Sequence, residues 1–242
     1  MTAQHDRREM FRLVAGASIA SAALLSGCAK GDADEPGGRV TANEDLMREH
    51  GVLRRILIAY REVAPKLATD AAAVDASALS QAASLFRRFG ERYHEQLLEE
   101  QHIFPIVRKA GGDGAALVDT LLAQHARGRE LTAFILDRTK SGRIATGDGE
   151  ALSRVLSTFA RMYEAHTARE DTVIFPAFKA RLGEKAYDEL GDRFEDIERR
   201  EFGGDGFGMA LAKVKQVEQA LGVADLASFT ASPLSTGIPS PY

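Results

Sequence analysis

The sequence predicts an all-α protein, an up-and-down four-helix bundle followed by extra short C-terminal helices. Four long segments carry apolar residues at every third or fourth position, the spacing of one buried helical face. Gly-rich breaks separate them. The second and fourth segments also nearly repeat at an offset of 71, which pairs Glu99 with Glu170, Phe104 with Phe175 and Pro105 with Pro176. Composition agrees: aromatics make up 7% of the chain and Trp is absent, while Ala, Leu, Arg and Glu are plentiful, a balance that favours helix. A formal net charge of −4, spread over mixed signs, argues against nucleic acid as a partner.

Residues 1–28 read as an export signal outside the fold. Arg7-Arg8-Glu9-Met10-Phe11-Arg12 resembles a twin-arginine motif, and the apolar run from Leu13 to Leu25 is too short to span a bilayer comfortably. Leu25-Ser26-Gly27-Cys28 resembles the lipobox of bacterial lipoproteins, with Cys28 as the acylated residue. These resemblances imply an exported protein held at the periplasmic side of the cell envelope by a lipid anchor. The twin-arginine route also implies export after folding, with a metal already loaded. Cys28 is the sole cysteine, so a metal site in this chain must use nitrogen and oxygen.

Residues 29–40 are polar and Gly/Pro-bearing, a flexible tether. The bundle is expected over 41–182. Its first helix begins near Thr41 or Asn43, with Leu46, Met47, His50, Leu53, Leu57 and Tyr60 on the buried stripe. A loose turn at 68–76 leads to a second helix, from about Asp75 or Ser77 to Lys109, with a kink expected at Pro105. Gly111-Gly112-Asp113-Gly114 breaks the chain before a third helix from about Gly114 to Lys140, which carries Leu117, Leu121, His125, Leu131 and Ile135. The fourth runs from about Glu150 to Arg181 and carries Phe159, Tyr163, His166 and Glu170. Residues 183–242 form an extension: helices at 183–201 and 206–221, then an irregular Pro-bearing tail.

One histidine lies in the leader, and the other five all fall in the four helical segments. His166 and Glu170, four apart, share a helical face. His50 and His125 sit inside apolar stripes. In the second helix the residue aligned with His166 is Glu95, and a histidine, His94, comes one position earlier. On a regular α-helix Glu95 and Glu99 differ by about 40°, whereas His94 and Glu99 differ by about 140°. Either Glu95 replaces the histidine, or a one-residue π-bulge brings His94 into line with Glu99. Imidazole with carboxylate is a borderline donor set that suits iron or manganese better than calcium or magnesium, and anionic carboxylates offset the charge that metal brings into a core. Glu99 and Glu170, at matched positions, are the natural bridging ligands. His102 aligns with Val173 and reads as lying outside the ligand set. Glu100 and Asp171 read as solvated neighbours, and Tyr163 as core packing.

In order and spacing, the His50 segment, His94-Glu95…Glu99…Phe104-Pro105, the His125 segment and His166-x-x-x-Glu170…Phe175-Pro176 resemble the hemerythrin-like, HHE cation-binding family. The resemblance covers about residues 43–181. It implies a non-haem di-iron centre with an oxo or hydroxo bridge, held by His50, His94, Glu95, Glu99, His125, His166 and Glu170, with iron ahead of manganese or zinc. It also implies a small oxidant as ligand (O2, NO or peroxide) and a redox partner of unknown identity. Binding or sensing is the leading expectation. The carboxylate-rich second helix supports an alternative, a di-iron oxidase or peroxidase in oxidative or nitrosative stress defence. A third expectation is an interaction module with a vestigial site.

Overall fold

The computed structural model describes residues 40–233, and no strand occurs among them. The leader, including Cys28, lies outside the described residues. Helix α1 spans Ala42–Thr69. Thr41 caps it in a capping box with Glu44: the Glu44 N–H donates to Thr41 Oγ1, and the Thr41 N–H donates to Glu44 Oε2 at 2.8 Å. A single 3-10 turn, Ala71–Ala73, then leads to α2. Asp75 caps α2 by accepting from the N–H groups of Ser77 and Ala78.

Helix α2 begins as Ala76–Leu85, continues with π hydrogen bonding over Phe86–Ile103, and ends as Phe104–Ala110. The π geometry therefore extends well beyond the single-residue bulge expected. Pro105 follows the π stretch in the first turn of the last segment. Proline has no N–H to return to the preceding turn, so the hydrogen-bond ladder must reset there. The Phe104 N–H bonds the Glu99 carbonyl, five residues back. The same device recurs in α4, which runs Gly149–Arg169, then π over Glu170–Ile174, then Phe175–Arg181, with the Phe175 N–H on the Glu170 carbonyl and Pro176 just beyond. This second π turn is absent from the sequence expectation. Between them, α3 spans Gly112–Thr139. It starts two residues earlier than expected, with the break made at Gly111 and Gly112, at φ 77 and 73.

Short connections make neighbouring helices antiparallel. Gly149, at the start of α4, lies against the Leu67 carbonyl near the end of α1. Gly114, at the start of α3, lies against Val107 of α2 and Ala177 of α4. A Cβ at Gly149 would come within 2.5 Å of that carbonyl, so this close approach requires glycine. Below the centre of the bundle Tyr60, Phe86, Phe159 and Tyr163 interlock edge-to-face and stacked at centroid distances of 4.8 to 5.4 Å.

Two further helices, α5 (Glu184–Phe202) and α6 (Gly206–Leu221), cover one side of the bundle. α6 buries Ala210, Val214 and Val217 against α1 and α2, and Arg55 clamps Glu218 with its Nε 2.6 Å from Oε1. α5 docks through Tyr187, whose hydroxyl accepts the Asn43 N–H at 2.8 Å, and through Phe194 stacked on Phe178. No helix among the described residues is long and apolar enough to cross a membrane.

Candidate metal centre

The four helices bring four histidines and two glutamates together at mid-bundle, all at most 3% exposed. His50 comes from α1, His94 and Glu99 from α2, His125 from α3, and His166 and Glu170 from α4. The π-helical path of α2 lets His94 and Glu99, five apart, face the same way, with His94 Nε2 3.4 Å from Glu99 Oε1.

The six side chains form two matched halves. In one, His50 Nε2 and His94 Nε2 are 2.9 Å apart, and His50 Nε2 lies 3.5 Å from Glu170 Oε2. In the other, His125 Nε2 and His166 Nε2 are 3.1 Å apart, with His166 3.0 Å from Glu170 Oε1 and His125 3.4 Å from Glu99 Oε2. Each glutamate thus sends one oxygen to each half, the disposition of a pair of bridging carboxylates.

The outward ring nitrogens are all engaged. His50 Nδ1 bonds Asp171 at 2.7 Å, His94 Nδ1 bonds Glu49 at 2.7 Å, His125 Nδ1 bonds Glu100 at 3.0 Å and His166 Nδ1 bonds the Gln124 side-chain oxygen at 2.9 Å. An acceptor at Nδ1 places the ring proton there and leaves the Nε2 lone pair facing inward, as a metal ligand requires. Arg54 backs Asp171, Arg129 backs Glu100, and the Tyr93 hydroxyl donates to Glu49 at 3.0 Å.

Whether a metal fits is decided by the inward atoms. All four carboxylate oxygens of Glu99 and Glu170 are buried without a hydrogen-bond donor, and the paired Nε2 atoms face one another at 2.9 and 3.1 Å. Such an arrangement is costly unless a cation sits between the donors. In the metal-free chain, protons play that part. Burial works against charge on Glu170, yet His166 and His50 hold it well below the usual carboxylate range. Burial likewise opposes charge on His94, but Glu99 and Glu49 raise it well above an ordinary histidine, and His125 is raised to about 10 by Glu95, Glu100 and Glu99. A metal would displace these protons. The residues fit a pair of cations.

Phe104 stacks on His125 at 5.5 Å and Phe175 on His50 at 5.3 Å, so the phenylalanine before each proline walls one half of the site. A model of the hemerythrin HHE cation binding domain matches residues 41–178. This chain belongs to the hemerythrin HHE family. It is also 41% identical to an uncharacterized protein of Mycobacterium bovis and to uncharacterized proteins of two Mycobacterium tuberculosis strains, over 93% of this chain and 91% of each relative. No solved structure matches it.

In this hemerythrin-like chain Glu95, expected among the ligands, is not brought into the cluster around Glu99 and Glu170. It takes the Tyr163 hydroxyl on Oε1 at 2.7 Å, while Oε2 lies 3.3 Å from Arg129 and 3.9 Å from His125 Nδ1. It therefore faces the outer nitrogen of His125, together with Glu100. His102 lies away from the centre, beside Phe194 of α5. Sequence reasoning missed Glu49, Gln124, Glu100 and Asp171 as histidine partners. The signal was adjacency: Glu49 and Gln124 directly precede His50 and His125, while Glu100 and Asp171 directly follow Glu99 and Glu170. Each reaches across to a histidine on another helix.

Proposed function

We propose that this protein holds two iron ions and uses them to bind or sense O2 or a related small oxidant (NO or peroxide) at the cell envelope. The observation that carries this reading is the pair of matched His-His halves spanned by the two glutamates, Glu99 and Glu170. His50 and His94 would hold one ion, His125 and His166 the other, with Glu99 and Glu170 shared. A nitrogen-and-oxygen donor set of this kind suits iron ahead of manganese or zinc. Iron there supplies reversible redox change and affinity for small oxidants. The protein's own residues do the rest. Phe104 and Phe175 exclude water, the two carboxylates offset positive charge, and the outer oxygens of Asp171, Glu49, Glu100 and Gln124 fix the imidazoles.

Metal analysis of the purified protein, read with its visible spectrum as O2 is removed and restored, tests this reading. Two irons per chain and bands that change reversibly are expected, and a chain that takes up no iron would end it.

A second reading, a di-iron oxidase or peroxidase in stress defence, is favoured by the Tyr163–Glu95 pair, an O–H donor and a carboxylate set beside His125. Steady consumption of peroxide with a reductant separates it from binding alone. The lipid anchor at Cys28 and the export route remain part of the proposal, supported by the leader motifs. Replacing Cys28 with Ser should move the protein from the membrane fraction to the soluble one.

A further inference from the structure

Along α2 the chain places Glu99, Glu95, Glu91 and Arg87 at successive intervals of four. Arg87 approaches Glu91, and Glu95 lies close enough to Glu91 to act on its charge. Glu99 belongs to the metal centre and Glu95 to the Tyr163 pair, while Arg87, its side chain 46% exposed, reaches solvent. Glu91 sits between, 4% exposed, with Oε2 3.8 Å from Arg87 Nε and Oε1 without a partner. The metal centre makes no use of it. Around it lie two more fully buried hydroxyls, Tyr60 from α1, which lacks a hydrogen bond, and Thr132 from α3, which acts on the Glu91 carboxyl. Thr132 lies one turn beyond Gly128, and Gly128 is the position against which the Tyr163 hydroxyl rests.

We propose that Glu91 is a proton-exchange residue that links solvent at Arg87 to the Tyr163–Glu95 pair beside the metal centre. It rests on the reading that the centre holds metal and meets a small oxidant, since reduction of O2 or peroxide consumes protons. A dry apolar core would strand the centre without them. A buried carboxyl and two buried hydroxyls from three helices, incompletely satisfied, are costly in an apolar bundle, and a proton-passing function accounts for their retention. The Glu91 carboxyl releases its proton to a neighbouring hydroxyl oxygen. That hydroxyl gives up its own proton towards Glu95, and Glu91 takes a replacement from solvent. Glu91 and the hydroxyl end with as many protons as they began with, and Glu95 gains the one that solvent gave up.

The charges facing Glu91 suit this. Burial raises it, Thr132 lowers it, Glu95 on its own helix raises it, and Arg87 on the same helix and Arg129 on α3 lower it. The balance leaves it at about 7, so both protonation forms exist near neutrality. From the remaining helices it faces Tyr60 and Tyr163, both raised far out of this range by burial, which pass protons only through their hydroxyls.

The test is a rapid pH jump across neutrality on the iron-loaded full chain, following the iron absorption bands. Glu91→Gln keeps the size and shape of the side chain but cannot exchange a proton, and should slow the response by roughly tenfold or more, with iron content and final spectra unchanged. Glu91→Asp, a poorer fit but still an acid, should recover much of the rate. A merely structural Glu91 predicts the reverse order, with Gln harmless and Asp damaging. That order, an unchanged rate in Glu91→Gln, or bands that ignore pH would overturn the relay while leaving the metal reading intact. A chain that takes up no iron would overturn both.

Discussion

His166 Nδ1 rests on the uncharged side chain of Gln124, 2.9 Å away, whereas His50, His94 and His125 each rest on a carboxylate. The internal duplication makes the difference plain, because the counterpart of Gln124 is Glu49, which holds His94. A carboxylate at Nδ1 raises the basicity of a ligand imidazole more than an amide does. The two halves of the centre are therefore matched in geometry and unequal in donor strength.

Gln124→Glu should accordingly tighten metal binding in the His125–His166 half, and Glu49→Gln should weaken it in the His50–His94 half. Outer partners of metal-bound histidines commonly alter affinity by about 10- to 100-fold. Calorimetric titration of the metal-free chain with Zn2+ reads this as two binding steps, with each variant moving a different one.

Glu170→Gln removes a carboxylate charge that reaches both halves at once. The expected outcome is loss of at least one bound ion per chain, measured by elemental analysis after gel filtration. Circular dichroism should show the helices intact, because the substitution is close to isosteric. Glu99→Gln should behave alike, since each carboxylate reaches both histidine pairs.

Gly128→Ala places a methyl group 2.0 Å from the Tyr163 hydroxyl. Either the ring moves off Glu95 or the two helices part, and overpacking of this kind costs about 1–3 kcal/mol. Tyr163→Phe removes the clashing oxygen. Combined with Gly128→Ala it should recover a large part of that loss, an interaction that a double-mutant cycle in urea measures directly.

Glu91 lends the fold a pH dependence of definite sign. Its pKa is raised from 4.5 to about 7, so between those values the folded chain holds a proton that the unfolded chain has released. Stability from this residue is therefore present below pH 4.5 and lost as pH rises towards 7. At about 1.4 kcal/mol per pH unit the loss is roughly 3 kcal/mol. Glu91→Gln should flatten that slope. Urea unfolding at pH 5 and pH 8 would show the variant gaining on the wild type only at the higher value.

Much of this was legible from periodicity. The helical stripes, a helix start near Thr41 or Asn43, and the spacing of His166 and Glu170 are local features, set by residues within a turn or two of each other. Helix α2 shows where locality ends. His94 and Glu95 point in different directions, and which one faces Glu99 depends on whether the backbone closes its hydrogen bonds at four residues or five. The chain takes the wider turn, and neither residue's own preference signals it.

By itself the sequence determined four long amphipathic helices, their order, and the histidines and glutamates that line their inner faces, because hydrophobic spacing and short connections leave one economical way to bury those stripes. Only the tertiary structure decided that Glu95 turns to Tyr163 rather than into the cluster, and that Asp171, Glu49, Glu100 and Gln124 each hold a histidine from another helix. Those contacts join residues 25 to 121 positions apart. They arise from how whole helices rotate and settle against one another, which no window of local sequence contains.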